Sequence, residues 1–131
     1  MKKYLFIFCL LLTSFVEQQP YYPVSIIELI ASPKQYEDVR VGVDGFLVYR
    51  FEHQSIYFSS ESAKKSLYKN GVRVVVDSNT IWISKSGKKV NTAKIRDGQS
   101  ASVNGVFKPD KNRPSFSAYS GIIVAHKICL D

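Results

Sequence analysis

The feature that most constrains the fold of this chain is a long alternating run at residues 39–58, VRVGVDGFLVYRFEHQSIYF. In its first part, apolar residues and glycine share one parity and charged residues the other: Val39, Val41, Val43, Gly45, Leu47, Tyr49 and Phe51 against Arg40, Asp44 and Arg50. A period of two predicts a long half-buried strand. The break at residues 52–54, followed by apolar residues 56–58, predicts its hairpin partner.

A glycine lies in the middle of this predicted strand. Glycine there gives up side-chain packing and backbone entropy, so a strand keeps it only for a local reason. We expect Gly45 to mark a sharp bend, as at the corner of a small closed barrel, where a side chain would collide with the barrel wall.

The N-terminus has the pattern of an export signal. Lys2 and Lys3 precede an uncharged, largely apolar run at residues 4–16, which is too short to span a membrane as a helix. We therefore predict a signal peptide at residues 1–18 and an extended leader at 19–24. The protein is expected to be exported, periplasmic or secreted, with no transmembrane segment in the mature chain.

Two details of this segment leave alternatives. The region before residue 17 lacks a clean pair of small residues, so cleavage is placed only between Ser14 and Gln19, and an uncleaved interfacial anchor is the alternative. Cys9 lies inside the apolar run behind Phe8. A lipid-modified cysteine would instead close that run behind a small residue, so Cys9 does not predict a lipoprotein.

The remaining chain predicts one domain, residues 25–131. After cleavage of the signal peptide about 112 residues remain, which is enough to bury a hydrophobic core without stabilising disulfides or metal ions. Cys129 is then the one cysteine left, so no internal disulfide is expected. Whether Cys129 pairs with another chain, and the oligomeric state, stay open. Loss of two lysines lowers the formal charge from +7 to +5 if Glu17 stays. This favours polyanions as partners, although a solvated surface has the same charge.

Two short helices are predicted. Ser25 and Glu28 have the spacing of a capping box, and residues 26–30 offer an apolar face until Ser32 and Pro33 end the helix. This helix is expected to cover one end of a barrel. Residues 59–69 predict a surface helix with Ala63 and Leu67 facing inward, ended by a left-handed residue at Asn70-Gly71.

Three further strands complete the predicted domain. The third is placed at residues 72–76, the fourth at 99–108 and the fifth from 115 to about 128, with a turn at 109–114 between the last two. Residues 81–83 either extend the third strand after a bulge or form a small extra hairpin. Residues 84–98 hold five lysines and arginines against one acid and are interpreted as a loop with at most one turn of helix.

Five strands, a long first strand bent at glycine and a covering helix predict a mainly β domain, the five-stranded Greek-key barrel called the OB-fold. The chain resembles small exported bacterial OB-fold proteins of unknown function. The resemblance rests on Ser25-x-x-Glu28-Leu29-Ile30 with Pro33 and Tyr36, Val39-x-Val41-x-Val43-x-Gly45-Phe46-Leu47, Ile56-Tyr57-Phe58-Ser59, Val103-x-Gly105-x-Phe107 and Ser120-Gly121-x-Ile123. Its Val-x-Gly pieces are shared with nucleic-acid-binding barrels of the anticodon-binding type. The predicted internal helix lies between strands two and three, whereas the usual barrel places one between three and four.

No enzyme is predicted from the residues. Ser62-x-x-Lys65, Lys85-Ser86-Gly87 and Ser102-x-Asn104 match the motifs of penicillin-recognising enzymes as strings, but their order is wrong and the domain is too small. Neither His53 nor His126 has a second histidine or a cysteine near it in the sequence at the spacing of metal ligands. We therefore predict no catalytic residue, no metal site and no cofactor.

Binding is the class of function that the sequence favours. OB-folds present ligands to the face of strands two and three and to the loops joining strands one to two and four to five. These positions predict a polyanion site, for nucleic acid or acidic glycan, formed by Arg50, His53, Tyr57, Trp82, Lys85, Lys111 and Arg113. Aromatic rings can stack on bases or sugars while cations meet phosphate or sulfate. The alternative is a module that docks a periplasmic protein.

Overall fold

The computed structural model describes residues 18–110 and 119–131. Residues 1–17 of the predicted signal peptide therefore lie outside the described residues. Lys111 and Arg113 also lie outside them. Within the described ranges the strands are β1 (Tyr22–Pro23), β2 (Arg40–Arg50), β3 (His53–Tyr57), β4 (Gly71–Val75), β5 (Ile81–Ser84), β6 (Gln99–Pro109) and β7 (Gly121–Leu130). The helices are α1 (Ile26–Ala31) and α2 (Ser60–Lys64), with 3-10 turns at Pro33–Tyr36, Tyr68–Asn70 and Thr92–Lys94.

Five of these strands pair in a closed cycle. β2 pairs with β3 and β3 with β4, both antiparallel. β4 then pairs with β7 in parallel, β7 with β6 antiparallel, and β6 returns to β2. β1 adds to β2 and β5 to β7, both in parallel, which makes one mixed sheet of seven strands in the described part of the chain. The prediction of a mainly β domain with two short helices is confirmed.

The main core lies between α1 and one face of this sheet. Every cycle strand contributes to it, because alternate residues of a strand face the same side. Its most deeply buried members are Ile26, Leu29, Val41, Val43, Leu47, Ile56, Val72, Val103, Phe107, Ile123 and Ile128. The inward parity predicted for the fourth strand is confirmed by the burial of Ala101, Val103, Gly105 and Phe107.

Helix α1 begins and ends where the sequence predicts. The Ser25 hydroxyl accepts a hydrogen bond from the Glu28 amide at 3.1 Å, and the Glu28 carboxylate accepts one from the Ser25 amide at 2.8 Å. This confirms the capping box. The buried face is narrower than expected, since Ile26 and Leu29 are buried and Ile27 is 59% exposed. A helix of six residues has room for one buried stripe.

The hairpin turn after β2 falls earlier than predicted. Arg50 pairs with His53, so Phe51 and Glu52 form the two-residue turn, and Glu52 takes a positive φ of 60°. The expected inward position of Phe51 is wrong, because its side chain lies at the tip of the turn and is 92% exposed. The prediction that residues 52–54 separate the two strands is also wrong for His53 and Gln54, since both residues belong to β3.

The internal helix is shorter than predicted. Ser59 caps α2, and Ala63 is buried as expected, but the helix ends at Lys64. Ser66, with a φ of 51°, supplies the left-handed residue that was expected at Asn70-Gly71, where Gly71 is extended and starts β4. Leu67 therefore lies beyond the helix and is 44% exposed, so its predicted inward position is wrong.

The segment after β4 combines features of both predicted alternatives. β4 and β5 pair with successive parts of β7 in the same direction, so β5 continues the line of β4 after residues 76–80. Ile83 also bridges Lys89 in antiparallel fashion, which makes a small hairpin. The following loop contains the single helical turn at Thr92–Lys94, as predicted.

Gly45 lies where β2 changes partners. β6 pairs with β2 from Arg40 to Leu47, and β3 pairs with it from Phe46 to Arg50. A Cβ atom at Gly45 would lie 2.5 Å from the carbonyl oxygen of Tyr57 and 2.7 Å from Cδ1 of Ile26. The glycine is needed here because β3 and α1 approach the β2 backbone closely.

Candidate functional site

Three of the predicted site residues lie on one face of the sheet. Because directly paired residues share a face, the pairs Arg50–His53, Val48–Ser55 and Phe46–Tyr57 place these side chains opposite the main core. Ser55 pairs in turn with Arg73, which brings an exposed β4 cation to the same side. We call this surface the outer face: Phe46, Val48, Arg50, His53, Ser55, Tyr57 and Arg73. Ala63 of α2 packs on part of it, against Val48 and Tyr57.

A directed chain of hydrogen bonds crosses the outer face. Arg50 Nη2 lies 3.3 Å from His53 Nδ1, and a guanidinium can only donate, so Nδ1 is the acceptor. The neutral imidazole then carries its hydrogen on Nε2 and donates to Tyr57 Oη at 2.8 Å. The Tyr57 hydroxyl can donate onward to Tyr119 Oη at 3.5 Å, which also accepts from Ser55 Oγ at 2.6 Å. The chain fixes the rotamers of four outer-face side chains.

This environment keeps the ring of His53 neutral. Burial lowers the pKa of its imidazole below the ordinary value of 6.5, and the Arg50 guanidinium lowers it further, while Asp97 raises it. Burial also raises the pKa of the Tyr57 hydroxyl, which therefore stays a hydrogen-bond donor at neutral pH. The site thus contains a neutral imidazole and, beneath it, the neutral phenol of the buried Tyr57.

Aromatic rings form a row along the outer face. The Tyr68 ring lies 5.4 Å from the His53 ring on one side and 5.4 Å from the Tyr119 ring on the other, measured between centroids. We call these three rings the aromatic row. Tyr68 is 42% exposed, whereas Tyr57 is fully buried beneath the row. Tyr68 is therefore the ring that a planar ligand can reach, and Tyr57 supports it from below.

The cations of this face differ in how far they are neutralised. Arg50 Nε forms an ion pair of 3.3 Å with Asp97, and both side chains are partly exposed. Such a pair contributes little to stability and can exchange for another anion. Arg73 projects from the middle of the face and is exposed. The outer face therefore carries one exposed arginine without an ion pair among the described residues and one arginine that is paired with a carboxylate.

Two further predicted residues that the structure describes, Trp82 and Lys85, do not lie on this face. Trp82 lies on β5 and packs edge-on against Tyr49, with ring centroids 4.8 Å apart. Both rings border the main core, on the opposite side of the sheet from the aromatic row. Lys85 is exposed in the turn after β5, where its amide donates to the Leu130 carbonyl. Lys111 and Arg113 lie outside the described residues.

Among the residues of the hydrogen-bond chain, the aromatic row and the arginine contacts, five were not predicted: Ser55, Tyr68, Arg73, Asp97 and Tyr119. Arg73 alternates with Val72 and Val74 in the predicted third strand, so strand parity alone could have placed it. Tyr68 falls in the predicted surface helix and Tyr119 in the predicted fifth strand. Neither assignment carried a signal that the two rings meet.

Other kinds of site can be assessed only over residues 18–110 and 119–131. In these ranges His, Cys, Asp and Glu do not form a group of three that could hold a metal ion. Nor does any helix there have the length and apolar character needed to cross a membrane.

Comparisons with known proteins add information about the fold. No family model matches the sequence, and no curated protein matches it. Among solved structures, the chain is similar to one assigned as an aspartyl-tRNA synthetase from Leishmania major Friedlin, with a TM-score of 0.52 and 11% sequence identity. The match covers 90% of this chain but 22% of that one, so this chain spans about a fifth of its length. The likeness shows a shared fold.

Proposed function

We propose that the protein is an exported, non-catalytic OB-fold module that binds a polyanion on its outer face, with single-stranded nucleic acid as the ligand class the site fits best. The strand order supports the fold. β2, β3 and β4 follow one another as antiparallel neighbours, and β6 returns to lie beside β2. This order agrees with a Greek key, and β7 pairs with both β6 and β4 to complete the cycle.

The observation that carries the proposal is the exposed ring of Tyr68 between two other rings, with arginines on the same face. OB-folds bind oligonucleotides on the face of their second and third strands, which are β3 and β4 here. Each stacked base contributes about 1–3 kcal/mol, largely irrespective of sequence, while cations follow the backbone. The structural likeness to a chain named for tRNA aminoacylation agrees with this class of ligand.

Replacing Tyr68 with alanine is the direct test of the stacking surface. We expect a labelled oligothymidylate to bind the full chain with micromolar affinity and to bind Tyr68→Ala about tenfold more weakly, since one stacked base is lost. Fluorescence anisotropy at 50 to 200 mM salt measures both. The slope of log affinity against log salt should not change in Tyr68→Ala, because no charge is removed. Arg73→Gln should make this negative slope shallower by about 0.7, because one phosphate contact is lost.

Tyr22→Ala is the matched control, because Tyr22 is an exposed tyrosine on β1. Its affinity should equal that of the unaltered chain. If no polyanion binds at low salt, the proposal fails and the basic residues are a solvated surface. If an acidic glycan binds and the oligonucleotide does not, the outer face is still the binding site, but its ligand is a glycan rather than a nucleic acid. Salt-independent capture of a periplasmic protein would favour the docking module.

A second prediction uses the ion pair between Arg50 and Asp97. Asp97→Asn should raise oligonucleotide affinity about threefold, because Arg50 no longer has a carboxylate partner. Asp44→Asn makes the same change in net charge near the middle of β2, away from the Arg50–Asp97 pair, where Asp44 accepts a hydrogen bond from Ser102. Its affinity should rise much less. Equal effects of the two variants in the anisotropy titration would show that only net charge matters.

Export is the remaining part of the proposal. The charged start, uncharged core and polar leader motivate it, and mass spectrometry of the protein from its native compartment should find a new N-terminus between about Phe15 and Pro20. An intact Met1 on protein in the cytosol would contradict export. That result would not bear on the outer-face binding site, which the oligonucleotide titrations test separately.

A further inference from the structure

A concave surface separate from the outer face lies at the Arg40 end of β2, whereas Arg50 lies at the other end of this strand. We call it the β1–β7 cleft. It has a volume of about 630 Å³ and is lined by the leader before β1, the start of β2, the segment before β5 and the second half of β7. The side chains that matter are Tyr21, Arg40, Asp77, Ile81, His126 and Lys127. None of them belongs to the aromatic row.

Arg40 is held in the cleft by an aromatic ring and has spare hydrogen-bonding capacity. Its guanidinium carbon lies 4.4 Å from the centroid of the Tyr21 ring. Its Nε atom is buried and has no hydrogen-bond partner in the described structure. An unpaired buried donor on a charged group is costly, and a guanidinium edge matches carboxylate or phosphate oxygens. A small rotation over the Tyr21 ring would offer this edge to an anion.

His126 faces the same cleft because β7 has a bulge. Asn104 of β6 pairs with Lys127 and Gly105 pairs with Ala125, which leaves His126 as the extra residue. The bulge requires glycine on β6, since a Cβ at Gly105 would collide with the Val124 carbonyl. Bulges re-aim side chains and are frequent beside binding sites. Here the ring of His126 is aimed at Tyr21, with Nδ1 2.9 Å from Tyr21 Oη.

The charges and apolar walls define the ligand. Arg40 and Lys127 supply two cations, against the single carboxylate of Asp77 among the described lining residues. Oδ1 of that carboxylate already accepts the Asn79 amide at 2.7 Å. Ile81 adds an apolar wall that is 58% exposed. Such a lining suits a molecule with one charged end and one apolar end.

We propose that the β1–β7 cleft is a second binding site, for a small organic anion. Its carboxylate or phosphate group faces Arg40 and Lys127, and its flat or apolar body lies against Tyr21 and Ile81. The site is separate from the outer face, so a polymer on one and a small molecule on the other do not compete for the same residues. The failure of either proposal leaves the other standing.

The test is an NMR titration of the ¹⁵N-labelled full chain with phenyl phosphate, benzoate and inorganic phosphate. Phenyl phosphate should shift the amides of Arg40 and residues 124–127 to saturation. Inorganic phosphate should bind at least threefold more weakly, since it lacks the body that contacts Tyr21. The benzoate arm shows whether a carboxylate replaces the phosphate. Arg40→Gln should weaken phenyl phosphate at least tenfold, and the spectrum itself reports whether this variant is folded.

The matched control is Lys88→Gln, which removes an exposed cation from the loop after β5, outside both the outer face and the cleft, and should leave phenyl phosphate affinity unchanged. If Arg40→Gln is unfolded, Lys127→Gln takes its place and should weaken binding at least threefold. Absence of saturating shifts at residues 124–127 overturns the proposal. Unchanged affinity in the folded Arg40 variant overturns it too, as does equal affinity for inorganic and phenyl phosphate.

Discussion

Replacing Gly45 with alanine is expected to lower the free energy of unfolding by about 3 kcal/mol, the upper part of the usual range for overpacking. The added Cβ would lie 2.5 Å from the Tyr57 carbonyl oxygen, 2.7 Å from Ile26 Cδ1 and 2.8 Å from Ile56 Cγ1. The carbonyl cannot move away freely, because Tyr57 pairs with Phe46 in the ladder between β2 and β3. Urea unfolding followed by circular dichroism measures the loss as a lower midpoint.

Gly42→Ala is the matched control on the same strand. A Cβ at Gly42 would approach Asn104 Oδ1 at 2.9 Å, and its next neighbour, Tyr21 Cβ, is 3.7 Å away. The amide end of a side chain can rotate away, so we expect a change within about 0.5 kcal/mol. Similar midpoints for the two variants would show that the close approach at Gly45 does not constrain the fold.

The positions of the long strands could be predicted because their residues alternate. β2 and β6 each bury one face against the main core, so their apolar residues recur with a period of two, and both appear within one or two residues of the predicted bounds. Helix α1 could be predicted for a different reason: the Ser25 and Glu28 side chains that fix its start are three residues apart. Signals that act within one element are readable from sequence.

The candidate site could be predicted only in part, because it assembles residues from distant segments. Arg50, His53 and Tyr57 share one hairpin, so a single strand pairing places them together. Tyr119 reaches the same face from 62 residues away in sequence. Strand parity cannot reveal such a contact, since it depends on how the connections between strands cross the sheet.

Trp82 shows how the position of an aromatic residue depends on strand pairing. Its place near the predicted third strand favours a position on the expected binding face, but the sequence does not show which strand pairs with β5. Pairing with β7 orients Trp82 toward Tyr49 at the border of the main core. The assignment of an aromatic residue to packing or to ligand contact therefore depends on pairing rather than on composition.

The same distinction gives the final prediction, for Tyr57. Its side chain is fully buried and packs with Val48 and Ala63, while its hydroxyl bonds to His53. Tyr57→Ala should therefore destabilise the fold by about 3–5 kcal/mol, as expected for loss of a buried aromatic ring. Tyr57→Phe keeps the ring and leaves the His53 N–H without its acceptor, which should cost about 1–2 kcal/mol. Urea unfolding midpoints of both variants measure these losses.

The oligonucleotide affinity of the folded Tyr57→Phe variant should stay within about twofold of that of the unaltered chain. The reason is that the exposed ring of the aromatic row is that of Tyr68, which this substitution does not change. A stable Tyr57→Ala variant that had lost oligonucleotide binding would instead make Tyr57 the stacking residue and overturn this division between support and contact.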